Sequence, residues 1–331
     1  MNPIFLKVDH QILVKSAEDT DPKYGCPPEQ RPIQEYIRKA IVNVDKPSGP
    51  SSHEVSARVK DIFKFDKVGH SGTLDPKVTG VLPVAMEEGT KILQALLVAG
   101  KQYVTLMKLH GDTTNSQIKK TLSYFQTEIY QKPPLKSAVK RQLRTRRIYN
   151  LRYMEREGDY VLYTVDCEAG TYIRKLCHDI GLILGVGAHM QELRRTKAGP
   201  YTEETLVTLH DLRDAFENYK ESKDESELRR LIQPMESAVV HLPKIWVKDS
   251  AISALCHGAS LAAPGVSKLT DNIRKDDLIA IFSLKNELVA LAKALQDSQT
   301  ILKEEKGEVA TLERVTMHTD TYPKGWSKKT N

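Results

Sequence analysis

Cysteines are few in this sequence, and none has the spacing of a paired site. Cys26, Cys167, Cys177 and Cys256 are scattered over 331 residues, and no two of them form a Cys-x-x-Cys pair. Small disulfide-stabilised domains need denser cysteines, and common zinc sites need paired ones. The composition therefore excludes a disulfide framework and predicts a reducing, cytosol-like compartment.

Long apolar runs are also missing. The longest, such as residues 180–186, are far shorter than the roughly 18 residues that a membrane-spanning helix needs. The first residues, MNPIFLKVDHQ, contain no apolar stretch long enough for a secretory signal. We therefore expect neither a membrane partner nor a secreted protein.

The charge excess is small but unevenly distributed. The chain has 49 Lys and Arg against 43 Asp and Glu, which gives a net charge of +6. Residues 131–154 nevertheless contain no acidic residue, and tyrosines lie in and beside them, a pattern suited to phosphate neutralisation and base stacking or to a solvated basic loop. The basic residues there are Lys132, Lys136, Lys140, Arg141, Arg144, Arg146, Arg147 and Arg152. Residues 202–238 hold ten acidic and five basic residues with helically spaced apolar ones, and predict a solvated helical connector.

Residues 69–83 predict a rigid loop that carries a carboxylate. Three glycines and two prolines in fifteen residues are incompatible with a helix. Asp75 lies inside this loop, and Pro76 restricts its backbone to extended conformations. A rigidly held carboxylate is suited to nucleophilic or general-base chemistry. The alternative is an Asx turn in which Asp75 caps its own backbone.

Further segments, taken with this loop, resemble the tRNA-type pseudouridine synthase family. The segments are residues 44–52 (VDKPSGPSS), 69–84 (GHSGTLDPKVTGVLPV), 101–104 (KQYV) and 170–174 (GTYIR). Residues 133–141 (PPLKSAVKR) and 185–199 (GVGAHMQELRRTKAG) are similar to the dyskerin-like archaeal members, the catalytic subunits of H/ACA guide RNA–protein particles. The resemblance extends in consistent order from about residue 20 to 322.

The resemblance implies a reaction and three catalytic residues. Uridine becomes pseudouridine when the N1–C1′ bond breaks and the base rejoins through C5, which needs neither a metal nor another cofactor. Asp75 matches the catalytic aspartate, which must be ionised to attack C1′ or to take a proton from C2′, and both routes stay open. Arg174 matches the arginine that pairs with it. Tyr103 matches the tyrosine that stacks on the base and handles a proton at C5.

The resemblance also implies residues that bind RNA. Tyr172 and Leu193 match the lining of the base pocket, Lys46 a lysine near its mouth, and His70 a contact with the RNA backbone. For the tyrosines the alternative is core packing, and for His70 it is a buried, hydrogen-bonded histidine. Cys177-His178 invites a metal interpretation, but core packing of Cys177 is favoured. Phosphate contacts are expected from Lys136, Lys140, Arg141, Arg144, Arg146 and Arg147, and contacts by the C-terminal module from Gly258, Leu261, Pro264 and Gly265.

Ser51 with Glu54 three residues later forms a capping-box pattern, and a helix is expected after it with Val55, Val59, Ile62 and Phe63 on its buried face. Residues 160–168 have strand composition, with Val161, Tyr163, Val165 and Cys167 alternating against their neighbours.

The predicted fold class is α+β, with two domains. Residues 38–240 are expected to form a mixed-sheet pseudouridine synthase domain, and residues 243–318 a small β pseudo-barrel that resembles a PUA domain. Residues 1–37 match an extension that packs on the PUA domain, and residues 319–331 form a short basic tail. The PUA-like module departs from its family at Asp276-Asp277, where Gly-Asp is usual, but Asp tolerates a left-handed turn.

Three functions are compatible with these features. The first is a guide RNA-directed synthase acting on ribosomal RNA, the second a stand-alone synthase for the TΨC arm of tRNA, and the third a non-catalytic RNA-binding scaffold. The intact Asp75, Tyr103 and Arg174 disfavour the third, and residues 133–141 with the N-terminal extension favour the first. Expected partners are an H/ACA guide RNA, ribosomal RNA or tRNA, and small proteins of the Gar, small Nop and kink-turn-binding ribosomal types. Because long Lys-rich tails are missing, we expect a cytoplasmic archaeal protein; a eukaryotic one would be nucleolar.

Overall fold

The computed structural model describes residues 10–133 and 142–324, which form 17 strands and nine α-helices. The strands are β1 (Ile12–Val14), β2 (Ala40–Lys46), β3 (Val68–His70), β4 (Thr79–Met86), β5 (Lys101–Leu109), β6 (Glu128–Gln131), β7 (Arg144–Glu157), β8 (Tyr160–Cys167), β9 (Ala188–Ala198), β10 (Tyr201–Thr202), β11 (Ile232–Pro234), β12 (Lys244–Val247), β13 (Leu261–Ala262), β14 (Val266–Thr270), β15 (Leu278–Phe282), β16 (Leu288–Ala294) and β17 (Glu308–Val315). The helices are α1 (Ile33–Arg38), α2 (Ser52–Phe63), α3 (Leu93–Val98), α4 (Asn115–Tyr124), α5 (Ile173–Leu184), α6 (Leu209–Ser222), α7 (Ser226–Leu231), α8 (Asp249–Cys256) and α9 (Ser298–Lys303).

The larger sheet has ten strands and mixed directions. Its order is β11-β2-β4-β9-β5-β8-β7-β6, with β3 paired to β4 and β10 to β9. The β4–β9 pair is parallel, whereas β5 is antiparallel to both of its neighbours. Since β9 is parallel to β4 and antiparallel to β5, it joins the part of the sheet that carries the Asp75 loop to the part that carries Tyr103. The predicted α+β class is confirmed.

Helix α2 begins as its sequence predicts. The Ser51 side chain accepts a hydrogen bond from the Glu54 backbone, and the Glu54 carboxylate accepts one from the Ser51 backbone, which completes a capping box. The predicted apolar face of α2 is buried in the core, including Val55 and Val59 at 0% exposure. The helix therefore lies fixed against the sheet, and its first turn is available to support a neighbouring loop.

Strand β8 and helix α5 form a second packed layer. The inward residues predicted for β8 are all at 0% exposure, from Val161 to Cys167 at every second position. Cys177 of α5 packs in the same core, with its Sγ 3.1 Å from the hydroxyl of Tyr163, so its predicted core role is confirmed. Among the described residues, no three or more His, Cys, Asp and Glu side chains are grouped to hold a metal ion.

The acidic segment 202–238 is less solvated than its composition predicts. It contains α6 and α7, and its apolar residues Leu212 and Leu228 are at 0% exposure in the core beside α2. The expectation of a solvated connector is therefore wrong for this face. Because one face of each helix is apolar, packing buries that face and leaves the acidic residues of α6 and α7 on the outer face.

The seven-stranded sheet forms the C-terminal module and includes the N-terminal strand. Its order is β1-β14-β12-β15-β16-β17-β13, and β1 is antiparallel to β14. Asp276 adopts φ +71°, and its carboxylate lies 2.7 Å from the ammonium of Lys293. The expectation that Asp276 accepts a left-handed turn is confirmed.

A buried ion pair joins the extension to both sheets. The guanidinium of Arg31 donates to both carboxylate oxygens of Glu236, at 3.0 and 2.6 Å, and Glu236 also accepts from the backbone N–H of Leu288 at 3.0 Å. Burial alone would lower the pKa of Arg31, but the pairing with Glu236 outweighs it and the pKa is raised. An apolar cluster that includes Val81 of β4 and Phe282 of β15 lies beside this junction. None of the described helices has the length and hydropathy of a membrane-crossing helix.

Candidate active site

Asp75 lies in the loop between β3 and β4, and a buried lysine supports that loop. The ammonium of Lys46 donates hydrogen bonds to the carbonyl oxygens of Pro76 and Val78, at 2.9 and 2.8 Å. A third bond, of 2.9 Å, goes to its neighbour Pro47. Lys46 is at 0% exposure, and burial lowers its pKa while the negative charge of Asp75 opposes that change. All three ammonium protons of Lys46 are donated to carbonyl oxygens, so Lys46 positions the loop. The resemblance implied a lysine near the pocket mouth, and the ammonium of Lys46 is not free there.

A serine supports the other side of Asp75. The hydroxyl of Ser52, in the first turn of α2, accepts a hydrogen bond from the backbone N–H of Leu74 at 2.8 Å and donates one to its carbonyl oxygen at 3.2 Å. Ser52 is at 0% exposure and Leu74 at 4%. Both backbone groups of the residue before Asp75 are therefore satisfied by one side chain.

The carboxylate of Asp75 pairs with Arg174 while remaining accessible. The Arg174 guanidinium donates to Oδ2 of Asp75, and the two side chains are 57% and 55% exposed. The backbone N–H of Val78 donates to the carbonyl oxygen of Asp75 at 2.9 Å and closes the turn. The carboxylate is thus directed at Arg174 rather than at its own backbone, which disfavours the Asx-turn alternative. Arg174 is the second residue of α5, so the positive end of the helix dipole adds to its charge.

A buried arginine that the sequence reasoning did not identify lies beneath the loop. Arg195 of β9 is 1% exposed, and its guanidinium donates to the carbonyl oxygen of Val81 at 2.7 Å and to that of Gly72 at 3.2 Å. Burial lowers the pKa of Arg195, and the adjacent Tyr103 opposes the change. Arg195 therefore binds the chain on both sides of Asp75, at Gly72 before it and at Val81 after it. Its only sequence signal is the motif 185–199, whose spacing does not reveal which arginine is buried.

Tyr103 lies beside Arg195 rather than in the wall of the groove. It is half-buried on β5, with Arg195 as its partner across the β5–β9 pair. Burial raises the pKa of the Tyr103 phenol, and Arg195 opposes that rise. The hydroxyl is therefore protonated at neutral pH. The negative charge of Asp75 adds to the rise in the pKa of Tyr103, so the phenol lies within electrostatic range of that carboxylate. The next residue, Val104, lines the groove.

The accessible face of Asp75 opens into a groove of about 1280 Å³. Asp75, Arg174 and Leu193 line it together, as the resemblance implied, and Val104 and Leu106 form part of an apolar wall. A volume of this size exceeds the usual range for a single small ligand and accommodates a nucleotide with its neighbours. The arrangement offers an accessible carboxylate, a guanidinium that holds it, and an apolar surface for a base.

Gln131 ties the basic segment to the helix that carries Arg174. Its amide oxygen accepts a hydrogen bond from the backbone N–H of Tyr172 at 2.9 Å, and its amide nitrogen donates to the Tyr172 carbonyl oxygen at 3.1 Å. Gln131 is 2% exposed and is the last residue of β6. A single glutamine at a strand end has no sequence signature, so its role was missed. Tyr172 itself is half-buried directly before α5.

His70 lines a different cavity from Asp75. Its Nδ1 is 3.0 Å from the hydroxyl of Ser56, and its ring contacts that of His53 at 4.8 Å. Burial, aided by His53 and Arg195, lowers the pKa of His70 to about 4. The cavity beside it has a volume of about 450 Å³. The structure therefore agrees with the alternative of a neutral, hydrogen-bonded histidine.

Part of the basic segment lies on β7. Lys136, Lys140 and Arg141 lie outside the described residues. Arg144, Arg146 and Arg147 follow on β7, where the guanidinium of Arg146 is 3.6 Å from the Glu168 carboxylate. That of Arg147 is 3.9 Å from the Glu128 carboxylate. Acidic residues of adjoining segments thus balance part of the positive charge.

The candidate residues of the C-terminal module lie on one segment. Gly258, with φ +94°, follows α8, and Pro264 is exposed. Gly265 is partly exposed at the end of the same short turn. Leu261 is 1% exposed in the core of the module, so its side chain is not available to RNA.

The segments of the chain match known family models in order. The TruB family pseudouridylate synthase N-terminal domain matches residues 60–173, and the tRNA pseudouridylate synthase B C-terminal domain matches residues 174–240. The DKCLD (NUC011) domain matches residues 2–56, and the PUA domain matches residues 243–316.

Curated relatives and solved structures are similar over nearly the whole chain. The probable tRNA pseudouridine synthase B of Methanosarcina barkeri is 58% identical and covers 96% of this chain and 95% of its own. The probable tRNA pseudouridine synthase B of Methanopyrus kandleri is 54% identical, and the match covers 97% of this chain and 95% of that protein. A chain of a Cbf5–Nop10–Gar1 complex has TM-score 0.92 and 53% identity over 97% and 99%. A chain of an H/ACA RNP bound to a substrate RNA containing 2′-deoxyuridine has TM-score 0.91 and 51% identity over 98% and 100%. The chain therefore belongs to the TruB family of pseudouridine synthases, isomerases that here carry DKCLD and PUA domains.

Proposed function

We propose that this chain is the catalytic subunit of an H/ACA guide RNA–protein particle that isomerises uridine to pseudouridine in ribosomal RNA. The observation that carries the proposal is the Asp75 carboxylate, which lies open to a large groove and is held by Arg174. A scaffold that only binds RNA needs no accessible carboxylate fixed on a rigid loop.

The reaction assigns a task to each group around Asp75. The N1–C1′ bond breaks, N1 gains a proton, the C5–C1′ bond forms and C5 loses a proton, so the overall change is an isomerisation. Asp75 in its ionised form attacks C1′ or takes a proton from C2′. Arg174 orients the carboxylate through their ion pair. Lys46, Ser52 and Arg195 keep the loop in place, which spares the entropy of positioning the carboxylate at each turnover.

The target base needs support once it leaves its stack. Extrusion costs a few kcal/mol, which contacts in the pocket must offset. Leu193, with Val104 and Leu106, supplies an apolar surface in the groove. Tyr103 and Tyr172 keep their proposed contacts with the base, and the protonated phenol of Tyr103 is suited to exchange a proton at C5.

The proposed partners follow from the relatives. Similar chains occur in a complex with Nop10 and Gar1 and in an H/ACA RNP with substrate RNA. We assign this chain the same kinds of partner: a guide RNA, the substrate RNA, and small proteins of the Gar and small Nop types. The kink-turn-binding ribosomal-type protein is proposed from the sequence resemblance alone. The archaeal relatives support a cytoplasmic location. The boundaries 1–37, 38–240, 243–318 and 319–331 stay predictions.

A second candidate is guide-independent modification of a uridine in the TΨC arm of tRNA. The curated relatives are named for tRNA, which favours this activity as an addition to the first. The test incubates the protein with unmodified tRNA transcript and with a ribosomal RNA fragment, with and without guide RNA and accessory proteins. Guide-dependent pseudouridine in the fragment is the expected result. Modification of tRNA alone, whatever guide is added, would contradict the proposal.

A further inference from the structure

A second cavity, which we call the arginine cavity, adjoins the Asp75 groove. Its volume is about 400 Å³, and it lies between the end of β2, helix α2 and the start of α6. Arg58 of α2 and Arg213 of α6 both line it, and Ile62 and Leu209 form its apolar part. Thr79 and Arg194 line both this cavity and the groove, so the two spaces adjoin each other.

The arginine cavity has a positive charge excess. Among its lining residues, Lys46, Arg58, Arg194 and Arg213 are cationic, and Asp45 is the one acid. Both carboxylate oxygens of Asp45 accept hydrogen bonds from Arg194, at 3.0 and 3.2 Å. Lys46 is occupied by main-chain carbonyls, as described above. In residues 10–133 and 142–324, neither Arg58 nor Arg213 forms an ion pair, although the charge of Arg58 acts on Glu54 at longer range.

Three acids of the two helices, each within one turn of these arginines, form bonds to other groups. Glu54, one turn before Arg58, closes the capping box of α2. Asp211 closes the capping box of α6 with Thr208, and Glu217, one turn after Arg213, binds Lys220 at 2.7 Å. The carboxylates of Glu54, Asp211 and Glu217 are thus bonded to caps and to a surface lysine, and not to the guanidinium groups at the cavity. The positive charge excess of the cavity contrasts with the acidic composition of residues 202–238, the segment that contains α6.

We propose that the arginine cavity binds a phosphodiester of the substrate RNA next to the target uridine, with Arg58 and Arg213 as its ligands; this rests on the function proposed above. Guanidinium groups bind phosphate oxygens in a bidentate way, and their charge is not lost by titration. The attached ribose or base packs on Ile62 and Leu209. Because the cavity adjoins the groove of Asp75 and shares Thr79 and Arg194 with it, an RNA strand that delivers a uridine to Asp75 passes beside the cavity.

The test is a double variant, Arg58→Ala with Arg213→Ala, compared with the charge-matched control Lys220→Ala with Arg230→Ala. Both control residues are exposed on α6 and α7 away from the cavity. The probes are unmodified tRNA transcript and the guide RNA with its ribosomal fragment, titrated at several salt concentrations. We expect the double variant to lose about tenfold or more in affinity and to reduce the salt slope by about 1.4 to 1.8, as two phosphate contacts require. Turnover at saturating RNA should stay within about twofold of the unmodified protein, because Asp75 and its supports are intact.

Two results would overturn the proposal. One is a double variant whose affinity and salt slope match those of the control. The other is a site for free anions only, seen as stabilisation of the unmodified protein by inorganic phosphate that the double variant loses while RNA affinity is unchanged. Either result leaves the isomerase assignment standing if the unmodified protein still converts uridine. Loss of that conversion in the unmodified protein would instead contradict the proposed function.

Discussion

The pair of Asp75 and Arg174 determines what the groove can do. The two residues are 99 positions apart in sequence and meet because the β3–β4 loop and the start of α5 face the same groove. Both side chains are more than half exposed, so the pair contributes little to folding. Its value lies in orienting an ionised carboxylate toward a substrate.

Arg174→Ala is expected to lower the rate of isomerisation by about 10²- to 10³-fold, because the variant loses the cation that orients and stabilises the reacting carboxylate. The melting temperature should change by less than about 4 °C, since exposed ion pairs contribute about 0–1 kcal/mol. Single-turnover assays with mass-spectrometric detection of pseudouridine measure the first quantity and calorimetry the second. Lys175→Ala on the same helix is the control and should keep the rate. A large loss of stability with an unchanged rate would show that the pair is structural.

His70 is expected to make the stability of the protein sensitive to acid. Its folded-state pKa of about 4 is below the ordinary value of 6.5, so between these values the unfolded chain binds a proton that the folded chain excludes. The contribution is therefore fully present above pH 6.5 and is lost as the pH falls toward 4. His70→Asn should remove this loss in the free energy of unfolding, which is on the order of 2 kcal/mol between pH 6.5 and pH 4. His241, whose pKa burial also lowers to about 4, is unchanged in the variant and keeps its own contribution. Urea unfolding at pH 7 and pH 4.5 measures it; equal losses in both proteins would contradict the assignment.

At the scale of elements, the Asp75 loop is held by its neighbours rather than by its own sequence. Helix α2 contributes Ser52, β2 contributes Lys46, and β9 contributes Arg195, each through hydrogen bonds to main-chain groups of the loop. Glycine and proline content predicted that the loop is rigid. It could not predict which distant polar side chains are buried against it, because only the folded chain brings the carbonyl oxygens within their reach.

Other elements show the same division between local and distant signals. The capping box of α2 and the alternation in β8 were predicted, since each depends on residues close in sequence. Strand β9 was not, because its mixture of charged and apolar residues has no clean period. Asp75, Tyr103 and Arg174 were predicted by motif. Ser52 and Arg195 lie within quoted motifs that do not reveal their burial, and Gln131 has no sequence signature.

Ser52→Ala is expected to loosen the catalytic loop. The variant leaves the buried N–H and carbonyl groups of Leu74 without their partner, which costs about 1–3 kcal/mol in the free energy of unfolding. The rate of isomerisation should fall together with stability because Asp75 is the next residue. Ser51→Ala is the matched control: it removes the helix cap, costs about 1 kcal/mol and should leave the rate near that of the unmodified protein. Equal rates in both variants would show that Ser52 does not position Asp75.

At the scale of the whole molecule, the N-terminal extension connects the two sheets. Strand β1 extends the smaller sheet, and Arg31 binds Glu236, which in turn binds the backbone of Leu288. Three distant segments therefore share one buried charge pair. This junction therefore helps to fix how the C-terminal module lies relative to the groove of Asp75.

Arg31→Met is expected to destabilise the protein by about 3–5 kcal/mol, because Glu236 would remain as an uncompensated buried charge. The double variant Arg31→Met with Glu236→Met should recover much of that loss, since apolar pairs often replace buried ion pairs at little cost. Thermal unfolding of both variants measures the difference. A double variant no more stable than the single one would show that the bond to Leu288, not the charge pair, holds the junction.

The most direct test of the catalytic role of Asp75 is the rate of pseudouridine formation by Asp75→Asn, measured with guide RNA and ribosomal fragment and with tRNA. Asparagine keeps the shape of the exposed side chain but cannot attack C1′ or take a proton, so the rate should fall by at least about 10³-fold. RNA affinity should stay within about threefold, because the phosphate contacts are elsewhere. Asp75→Ala serves as a check against deamidation. Isomerisation by both variants within about tenfold of the normal rate would contradict the account.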